Sequence, residues 1–260
     1  MIKIENVEVH GWGPAIRGMR NPKNSWERSD SYFLDNDGDM YDICGNHAPF
    51  YGDDNGNGDT IGKNDHELMM KLAKGGPVHA KYRRMITVYV DITAPLYWWK
   101  EFDTYKVGTV ANSCSTMHKI HEKEFDVFDF SFEKLVGKDD FCWENYCMAG
   151  PEARSTPLDI LSITIDALNI YRNKYNETKT KPMKDESKRK ELLKLYFNQM
   201  IQLLPSSYNQ KRTVMLNYEV LVGIYTWRKN HKLDEWVEFC KWIEGLPYSE
   251  IITGVRKEDE

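Results

Sequence analysis

The sequence predicts an α+β fold in one domain, in which a small, mostly antiparallel sheet is packed by long helices. Two segments have strand patterns: residues 2–9 read IKIENVEV, and residues 84–92 read RMITVYVDI, β-branched and alternating. The second half, residues 155–245, carries long apolar periodic segments that are typical of helices. No internal repeat and no sharp change divides the 260 residues, so we expect a single domain over 1–260.

Composition and charge exclude several classes of protein. The chain is 41% hydrophobic and 29% charged, and no window approaches the roughly 18 uninterrupted apolar residues of a membrane helix. Because the N-terminus also lacks a signal-peptide layout, we expect a cytoplasmic protein with no membrane partner. A net charge of −5 argues against binding polymeric nucleic acid, although a local basic pocket for one small anion is compatible with it. Five irregularly spaced cysteines indicate reduced thiols.

Turn and cap residues locate the elements of the first half. Residues 35–65 are rich in Gly, Asn and Asp, which predicts an acidic loop region. A short helix is expected over 67–74, capped by Asn64 or Asp65 and stopped by two glycines and a proline. Pro95 is tolerated in a first helical turn, so a helix is expected over 96–105.

The segment 103–118, DTYKVGTVANSCSTMH, is too polar for a strand interior. It predicts either an ordinary surface turn or a loop that holds an anion, with Lys106 as the point charge. Close backbone approach and hydroxyl donors to a phosphate would come from Gly108, Thr109, Asn112, Ser113, Ser115 and Thr116.

The second half is predicted to be helical. A helix start is indicated at Thr156, which precedes a first-turn proline and Asp159. A charged connector over 176–190 and a helix over 191–204 are predicted to follow. After them we expect a helix over 213–231 that is apolar on nearly every side, and a last amphipathic helix over 234–245.

One face of the predicted 213–231 helix carries polar groups. Asn217, Leu221, Ile224, Arg228 and His231 recur at spacings of 4, 3, 4 and 3, which keeps them in one stripe. A buried guanidinium without a partner is costly, so Arg228 requires an anion. Two interpretations stay open, an internal salt bridge to a carboxylate and a ligand-lined cleft, and the neighbouring Asn and His favour the cleft.

Other candidate sites have weaker patterns. The stretch from Asp53 resembles the start of a calcium-binding loop, but its twelfth position is Asn64 instead of the bidentate glutamate that such a loop requires. His118 and His121 have a metal-compatible spacing without an evident third ligand, so we expect a half-exposed pair and no metal. A basic cluster at 81–84 is interpreted as a solvated strand entrance. No P-loop, GxGxxG or GxSxG motif is present.

Several of these features together resemble the flavin-dependent thymidylate synthases over roughly residues 65–240. They are His79 after a glycine-bearing turn, a strand, a proline-initiated helix, a short polar motif, and Leu-Pro followed by Asn217 and, eleven residues on, Arg228. The resemblance implies an α+β homotetramer with active sites between subunits. It also implies FAD as the cofactor, and NADPH and methylenetetrahydrofolate as co-substrates in the methylation of dUMP to dTMP.

The resemblance implies a role for individual residues. Asn217 would contact the flavin nucleotide, Arg228 would bind dUMP near the flavin ring, and His231 lies one residue from the position of a flavin-side histidine. Thr104-Tyr105-Lys106 would occupy the place of the Arg-His-Arg signature. In full, the resemblance assigns Arg228, Tyr105 and Lys106 to catalysis, His79, Lys106, Asn217 and His231 to the cofactor, and Glu101, Thr109, Asn112, Ser113, Ser115 and Arg228 to the substrate.

The departures from the family pattern keep alternatives open. One cation replaces the two of the signature, and residues 198–202 lack the arginine that the family places before Leu-Pro. A divergent relative that modifies another pyrimidine nucleotide fits this pattern. So does a non-catalytic nucleotide-binding or scaffold protein, or a structural protein in which Arg228 pairs with Glu219 or Asp234.

Overall fold

A computed structural model describes residues 2–34, 37–48, 60–137 and 155–254. The calcium-like stretch from Asp53, most of the predicted acidic loop at 35–65, and Cys142 and Cys147 lie outside the described residues. The chain divides into two compact units of three segments each. Unit 1 consists of Met1–Lys3, Ile92–Thr104 and Asn112–Arg212, and unit 2 consists of Ile4–Asp91, Tyr105–Ala111 and Thr213–Glu260.

Strands and helices confirm the predicted α+β class. The strands are β1 Lys3–His10, β2 Tyr32–Leu34, β3 Met40–Asp42, β4 Thr87–Pro95, β5 Thr109–Ser113 and β6 Asn209–Asn217. The helices are α1 Trp12–Arg20, α2 Lys63–Lys74, α3 Leu96–Phe102, α4 Thr116–Lys119, α5 Pro157–Thr180, α6 Glu186–Leu203, α7 Tyr218–Arg228, α8 Asp234–Glu244 and α9 Glu250–Thr253.

A four-stranded sheet has the order β1-β4-β6-β5, and β2 pairs antiparallel with β3. The two predicted strands are both present, as β1 and β4. The second begins three residues later than predicted, because Lys81–Arg84 form a 3₁₀ turn. Along β4 the side chains of Val88, Val90 and Ile92 are fully buried, which is the alternation that the sequence predicted.

The predicted helix over 213–231 is wrong in its first part. Thr213 is exposed and Val214 and Leu216 are fully buried, so this stretch alternates with a period of two and forms β6. Asn217 ends the strand, and its side-chain oxygen accepts a hydrogen bond from Val220 N at 3.1 Å. Asn217 is therefore the N-cap of α7 instead of a residue within it.

The start of α2 also differs from the prediction. The helix begins at Lys63, four residues before the predicted start. Its first-turn amides are capped by Asp30 from another segment, whose carboxylate accepts from Asn64 N at 2.9 Å and from Asp65 N at 3.1 Å. Asn64 and Asp65 therefore lie inside the helix and do not cap it.

Unit 1 contains a helical hairpin. The capping box at Thr156 and Asp159 is confirmed. Apolar periodicity predicts a stripe of Leu158, Leu161, Ile165 and Leu168, of which the last three are buried and Leu158 is half-buried. The predicted charged connector over 176–190 is mostly helix: α5 runs to Thr180 and α6 begins at Glu186, which follows an N-cap aspartate. The predicted helix over 96–105 ends at Phe102. A core cluster joins α5 and α6 to the segment 120–130, and it is formed by Ile120, Phe125, Phe130, Leu161, Ile165, Leu168 and Met200.

In unit 2, α7, α8 and α9 pack against one another. Tyr218, the first residue of α7, is fully buried and donates its hydroxyl to Pro247 O at 2.6 Å. Burial raises the pKa of this phenol well above its usual range. Within the described part of the chain, no helix combines the length and the apolar character needed to cross a membrane.

Candidate functional site

A polar and aromatic cluster in unit 2 surrounds Arg228. The guanidinium donates from Nε to the hydroxyl of Tyr105 at 3.0 Å and from Nη1 to Nε2 of His231 at 3.0 Å. Its central carbon lies 4.8 Å from the ring centroid of Trp236 and 5.8 Å from that of Tyr105. Both distances are within the range of cation–π attraction. The structure thus brings together three predicted site residues, Tyr105, Arg228 and His231.

The predicted setting of Arg228 in an apolar interior needs correction. Arg228 is half-buried and is the last residue of α7. Of the predicted stripe, Leu221 and Ile224 are buried within α7, whereas Asn217 precedes the helix and His231 follows it. The polar members therefore lie at the ends of a short helix, and Arg228 keeps part of its surface in solvent.

The segment 105–108 contacts both ends of α7. Tyr105 contacts Arg228 at the C-terminal end, while Gly108 packs on the N-cap Asn217. Gly108 has φ +81°, and a Cβ there would lie 2.7 Å from Nδ2 of Asn217. Only glycine combines this backbone conformation with so close an approach. The segment 105–108 is thus fixed along α7, with Lys106 exposed to solvent.

The predicted polar turn over 103–118 is partly a strand. Residues Thr109–Ser113 form β5, the last strand in the sheet order, and Asn112 and Ser113 are exposed. A strand at a sheet edge has one side in solvent and therefore tolerates polar residues, which the prediction did not allow for. Thr109 is half-buried, and its Oγ1 has no hydrogen-bond partner among the described residues.

Glu101 and Ser115 have local roles in unit 1. Glu101 is half-buried in α3, and its backbone carbonyl accepts from the Thr104 hydroxyl at 2.7 Å. Ser115 is the N-cap of the short α4 and accepts from His118 N at 3.1 Å. Neither feature by itself identifies a ligand.

Ser115 also lines a small basic cavity in unit 1. The cavity has a volume of about 120 Å³. One wall carries Lys119 and Lys123, which pair with Glu122 at 2.6 Å and with Asp129 at 2.7 Å. Burial, together with the charge of Asp129, raises the pKa of Tyr208 in the same wall. The further lining residues are Cys114, Thr116, Ile120, Glu124, Phe125, Asn209, Gln210 and Lys211.

His79 lies on a larger groove in unit 2. This groove has a volume of about 1450 Å³ and is lined by α1, α2 and residues 78–85. Its cationic lining residues are Arg20, Lys23, Arg28, Lys71 and Lys81, against the two acidic residues Glu27 and Glu67. Neither Arg228 nor Tyr105 is part of the lining.

A buried ion pair holds one wall of this groove. Arg20 is 3% exposed, and its Nε donates to Asp65 Oδ1 at 2.6 Å. The other guanidinium nitrogens of Arg20 donate to Ser25 O and Arg28 O. Asp65 Oδ2 accepts from the hydroxyls of Ser29 and Ser31, both at 2.7 Å. Sequence reasoning missed this pair because Asp65 was interpreted as a helix cap.

Two further predictions about charged residues need correction. Arg83, interpreted as part of a solvated cluster, is 7% exposed, and its Nη1 lies 3.7 Å from Glu219 Oε2. Glu219, considered as a partner of Arg228, is therefore placed beside Arg83. Of the histidine pair predicted to be half-exposed, His118 is exposed and His121 is buried. Among the described residues, no group of three or more His, Cys, Asp or Glu side chains is arranged to hold a metal ion.

Comparison with solved structures gives clear matches. A flavin dependent thymidylate synthase ThyX from Helicobacter pylori, complexed with FAD and dUMP, matches with a TM-score of 0.55 and 16% identity over 96% of this chain and 97% of that chain. A second structure of that protein with FAD and dUMP matches with a TM-score of 0.55 and 15% sequence identity over 97% of each chain. A UMP/dUMP methylase PolB from Streptomyces cacaoi, bound with 5-Br UMP, matches with a TM-score of 0.51 and 11% sequence identity. The match covers 98% of this chain and 95% of that chain.

No protein-family profile matches the chain, and no curated protein sequence matches it either. At 11 to 16% identity, the structural matches establish the fold. The chain has the fold of the flavin-dependent thymidylate synthases and of the related PolB methylase, over nearly its whole length.

Proposed function

We propose that the protein is an FAD-dependent enzyme that methylates dUMP to dTMP, with methylenetetrahydrofolate as the one-carbon donor and NADPH as the reductant. The observation that carries the proposal is the ordered guanidinium of Arg228, held by Tyr105 and His231 and facing Trp236. It occurs in a fold whose neighbours were crystallised with FAD and dUMP.

The groove of unit 2 fits FAD. A dinucleotide cofactor is long and carries a diphosphate, so it requires an extended cleft and cations. The volume of about 1450 Å³ exceeds that of ordinary ligand pockets, and the lining is net basic. In this proposal Lys71, Lys81 and His79 bind the cofactor on the groove, and Asn217 binds at the start of α7. When bound, FAD supplies the redox chemistry of the reaction.

The small cavity of unit 1 fits an anion of the size of a phosphate. A volume of about 120 Å³ is too small for a nucleoside but sufficient for a phosphate group. Ser115 supplies a hydroxyl, and Lys119 and Lys211 supply cations. Glu101, Thr109, Asn112 and Ser113 are proposed as substrate contacts, as the family resemblance implies.

Arg228 acts electrostatically in the proposed mechanism. A fixed positive charge stabilises the negative charge of a pyrimidine nucleotide without having to reorient during the reaction. Tyr105 acts through Arg228 and is a positioning residue. Lys106, exposed beside it, offers a point charge in place of the planar fork of an arginine. The protein thus binds and orients the substrate, and no side-chain nucleophile is required.

We include self-association and location in the proposal. A homotetramer with active sites between subunits is supported by the fold and by exposed apolar residues along α5, Ile160, Ile163 and Ile170. Sedimentation velocity tests it, and a monomer with full activity would contradict it. A cytoplasmic location is supported by Cys44 and Cys114, which are exposed free thiols that an oxidising compartment would pair.

The test begins with the absorbance spectrum of the purified protein. Flavin bands, or their appearance after FAD is added and excess removed, are the expected result. Incubation with dUMP, methylenetetrahydrofolate and NADPH should then yield dTMP. Arg228→Met should weaken nucleotide binding while remaining folded. Colourless protein that takes up no FAD would overturn the proposal.

A second candidate is a related enzyme that acts on another pyrimidine nucleotide. It is favoured by the match to PolB, which is described as a UMP/dUMP methylase. Competition between dUMP, UMP and dCMP, with analysis of each product, separates the two. Nucleotide binding without NADPH consumption would instead support a non-catalytic binding protein, which the replaced signature also fits.

A further inference from the structure

Trp236 lies at the centre of the cluster around Arg228. It is the third residue of α8 and is fully buried. Its ring meets Tyr105 at 6.0 Å and His231 at 6.3 Å, both edge to face, and the Arg228 guanidinium carbon lies 4.8 Å from its centroid. Tyr105 and His231, which accept hydrogen bonds from Arg228, therefore both also contact this one indole.

The contacts on Arg228 divide into two kinds. The hydrogen bonds to Tyr105 and His231 lie in the plane of the guanidinium and fix its rotation within that plane. They leave the tilt of the plane open, because a hydrogen bond tolerates a wide angular range. The indole face limits the tilt, since a cation over an aromatic face is attracted to it.

We propose that Trp236 is a positioning residue for Arg228, which holds the guanidinium in one orientation so that a uridine nucleotide meets a preorganised charge. This inference rests on the proposed function. Trp236 is buried beneath the arginine and acts on the ligand through it.

The physical basis is the conformational freedom of arginine. Its side chain has many rotamers, and a ligand that orders it bears that entropic cost on binding. An indole that already orders the guanidinium removes this cost from the binding step. Phenylalanine retains an aromatic face with a weaker attraction for cations, and leucine fills space without such a face.

The first experiment needs no ligand. A guanidinium proton above an indole is shifted upfield in the NMR spectrum by the ring current. The Nε–H signal of Arg228, assigned by its loss in Arg228→Lys, should be shifted upfield in the native protein. It should return toward the ordinary arginine position in Trp236→Leu and only part of the way in Trp236→Phe. Trp242→Leu is the matched control, because Trp242 lies on the same helix and packs on Phe239.

The second experiment measures dUMP affinity by calorimetry. Trp236→Leu should weaken binding about tenfold, and Trp236→Phe about threefold, as expected for a desolvated cation–π contact. In an Arg228→Met background the same changes should have no further effect, which a purely structural role would not produce. Trp242→Leu should leave affinity unchanged.

The outcomes distinguish the two proposals. If native protein binds no dUMP but the Arg228 signal moves in Trp236→Leu, the proposed function fails and the positioning of the guanidinium stands. If native protein binds dUMP and Trp236→Leu leaves both the signal and the affinity unchanged, the role of Trp236 is wrong. Equal weakening by Trp236→Leu in native and Arg228→Met backgrounds would also overturn it.

Discussion

The hydroxyl of Tyr105 accepts a hydrogen bond from Nε of Arg228 at 3.0 Å, across 123 residues of sequence. Tyr105 is the middle residue of Thr104-Tyr105-Lys106, and Arg228 ends α7. The contact therefore connects this segment to the arginine on which the proposed chemistry depends.

Tyr105→Phe should weaken dUMP binding about tenfold, because a hydrogen bond to a charged group is stronger than an ordinary one. The ring remains, so the free energy of unfolding should fall by no more than about 1.5–3 kcal/mol, the contribution of one hydrogen bond to a charged group. Calorimetry and urea unfolding measure the two quantities. Tyr89→Phe is the control, since Tyr89 is 44% exposed on β4. Unchanged affinity in Tyr105→Phe would show that the hydroxyl does not support Arg228.

Gly108→Ala should destabilise the protein more than Gly76→Ala. Both glycines have positive φ, +81° and +88°, so both changes bear a similar backbone strain of about 1 kcal/mol. At Gly76 an added Cβ meets nothing within 4 Å, whereas at Gly108 it would lie 2.7 Å from Asn217. We expect Gly108→Ala to cost about 2 kcal/mol more in urea unfolding. Equal losses would mean that the close packing on the helix cap is unimportant.

Asp65→Asn should lower the free energy of unfolding by about 3–5 kcal/mol, because it leaves the buried Arg20 without its counter-charge. The side chain of Asp65 is 0% exposed and that of Arg20 is 4% exposed. Glu177→Gln, in an ion pair whose side chains are 64% and 74% exposed, should have almost no effect.

The same substitution tests the groove. Because Asp65 also accepts from Ser29 and Ser31, we expect Asp65→Asn to expose residues 25–31 to proteolysis and to weaken FAD uptake. Full stability together with normal FAD uptake would contradict both roles of the pair.

His121 should make stability depend on pH. Burial and the nearby charge of Lys179 lower its pKa, so the folded state disfavours the protonated imidazole. The unfolded chain has the ordinary histidine pKa of about 6.5. Stability is therefore fully present above about pH 6.5 and decreases as the pH falls below it. The other charged groups that act on His121 are Glu122, Lys119 and Arg172.

His121→Gln removes the titration and keeps an acceptor for Lys179, whose Nζ lies 3.1 Å from Nε2. The urea midpoint of this variant should fall less steeply between about pH 7 and 5 than that of the native protein. His118→Gln, at an exposed position, should follow the native curve. Parallel curves for native protein and His121→Gln would disprove the effect.

Patterns that depend on neighbouring residues could be predicted from the sequence. The alternation in β4 and the capping box at Thr156 use contacts within a few residues, and both were correct. The start of α2 was not, because its cap is Asp30, more than thirty residues away. In 213–231 the apolar content concealed the change from strand alternation to helical periodicity at Asn217. An asparagine before an apolar run is itself a helix-start signal.

The candidate site was partly predictable, because some of its residues form a pattern within a short stretch of sequence. Spacing and resemblance identified Arg228 and His231, and the resemblance added Tyr105. Trp236 was missed because it contacts Arg228 from a different helix. A contact between residues of two helices leaves no periodic signal in the sequence. The partner of Arg20 was hidden because an aspartate near a helix start has several possible roles.

Strand β6 ends at Asn217 and α7 begins at Tyr218, without an intervening residue. One residue gained or lost within the strand would exchange its two faces, and one gained or lost in the helix would rotate Arg228 by about 100°. In either case the guanidinium would point away from its partners. The orientation of the guanidinium therefore depends on the length of this junction as much as on the arginine itself.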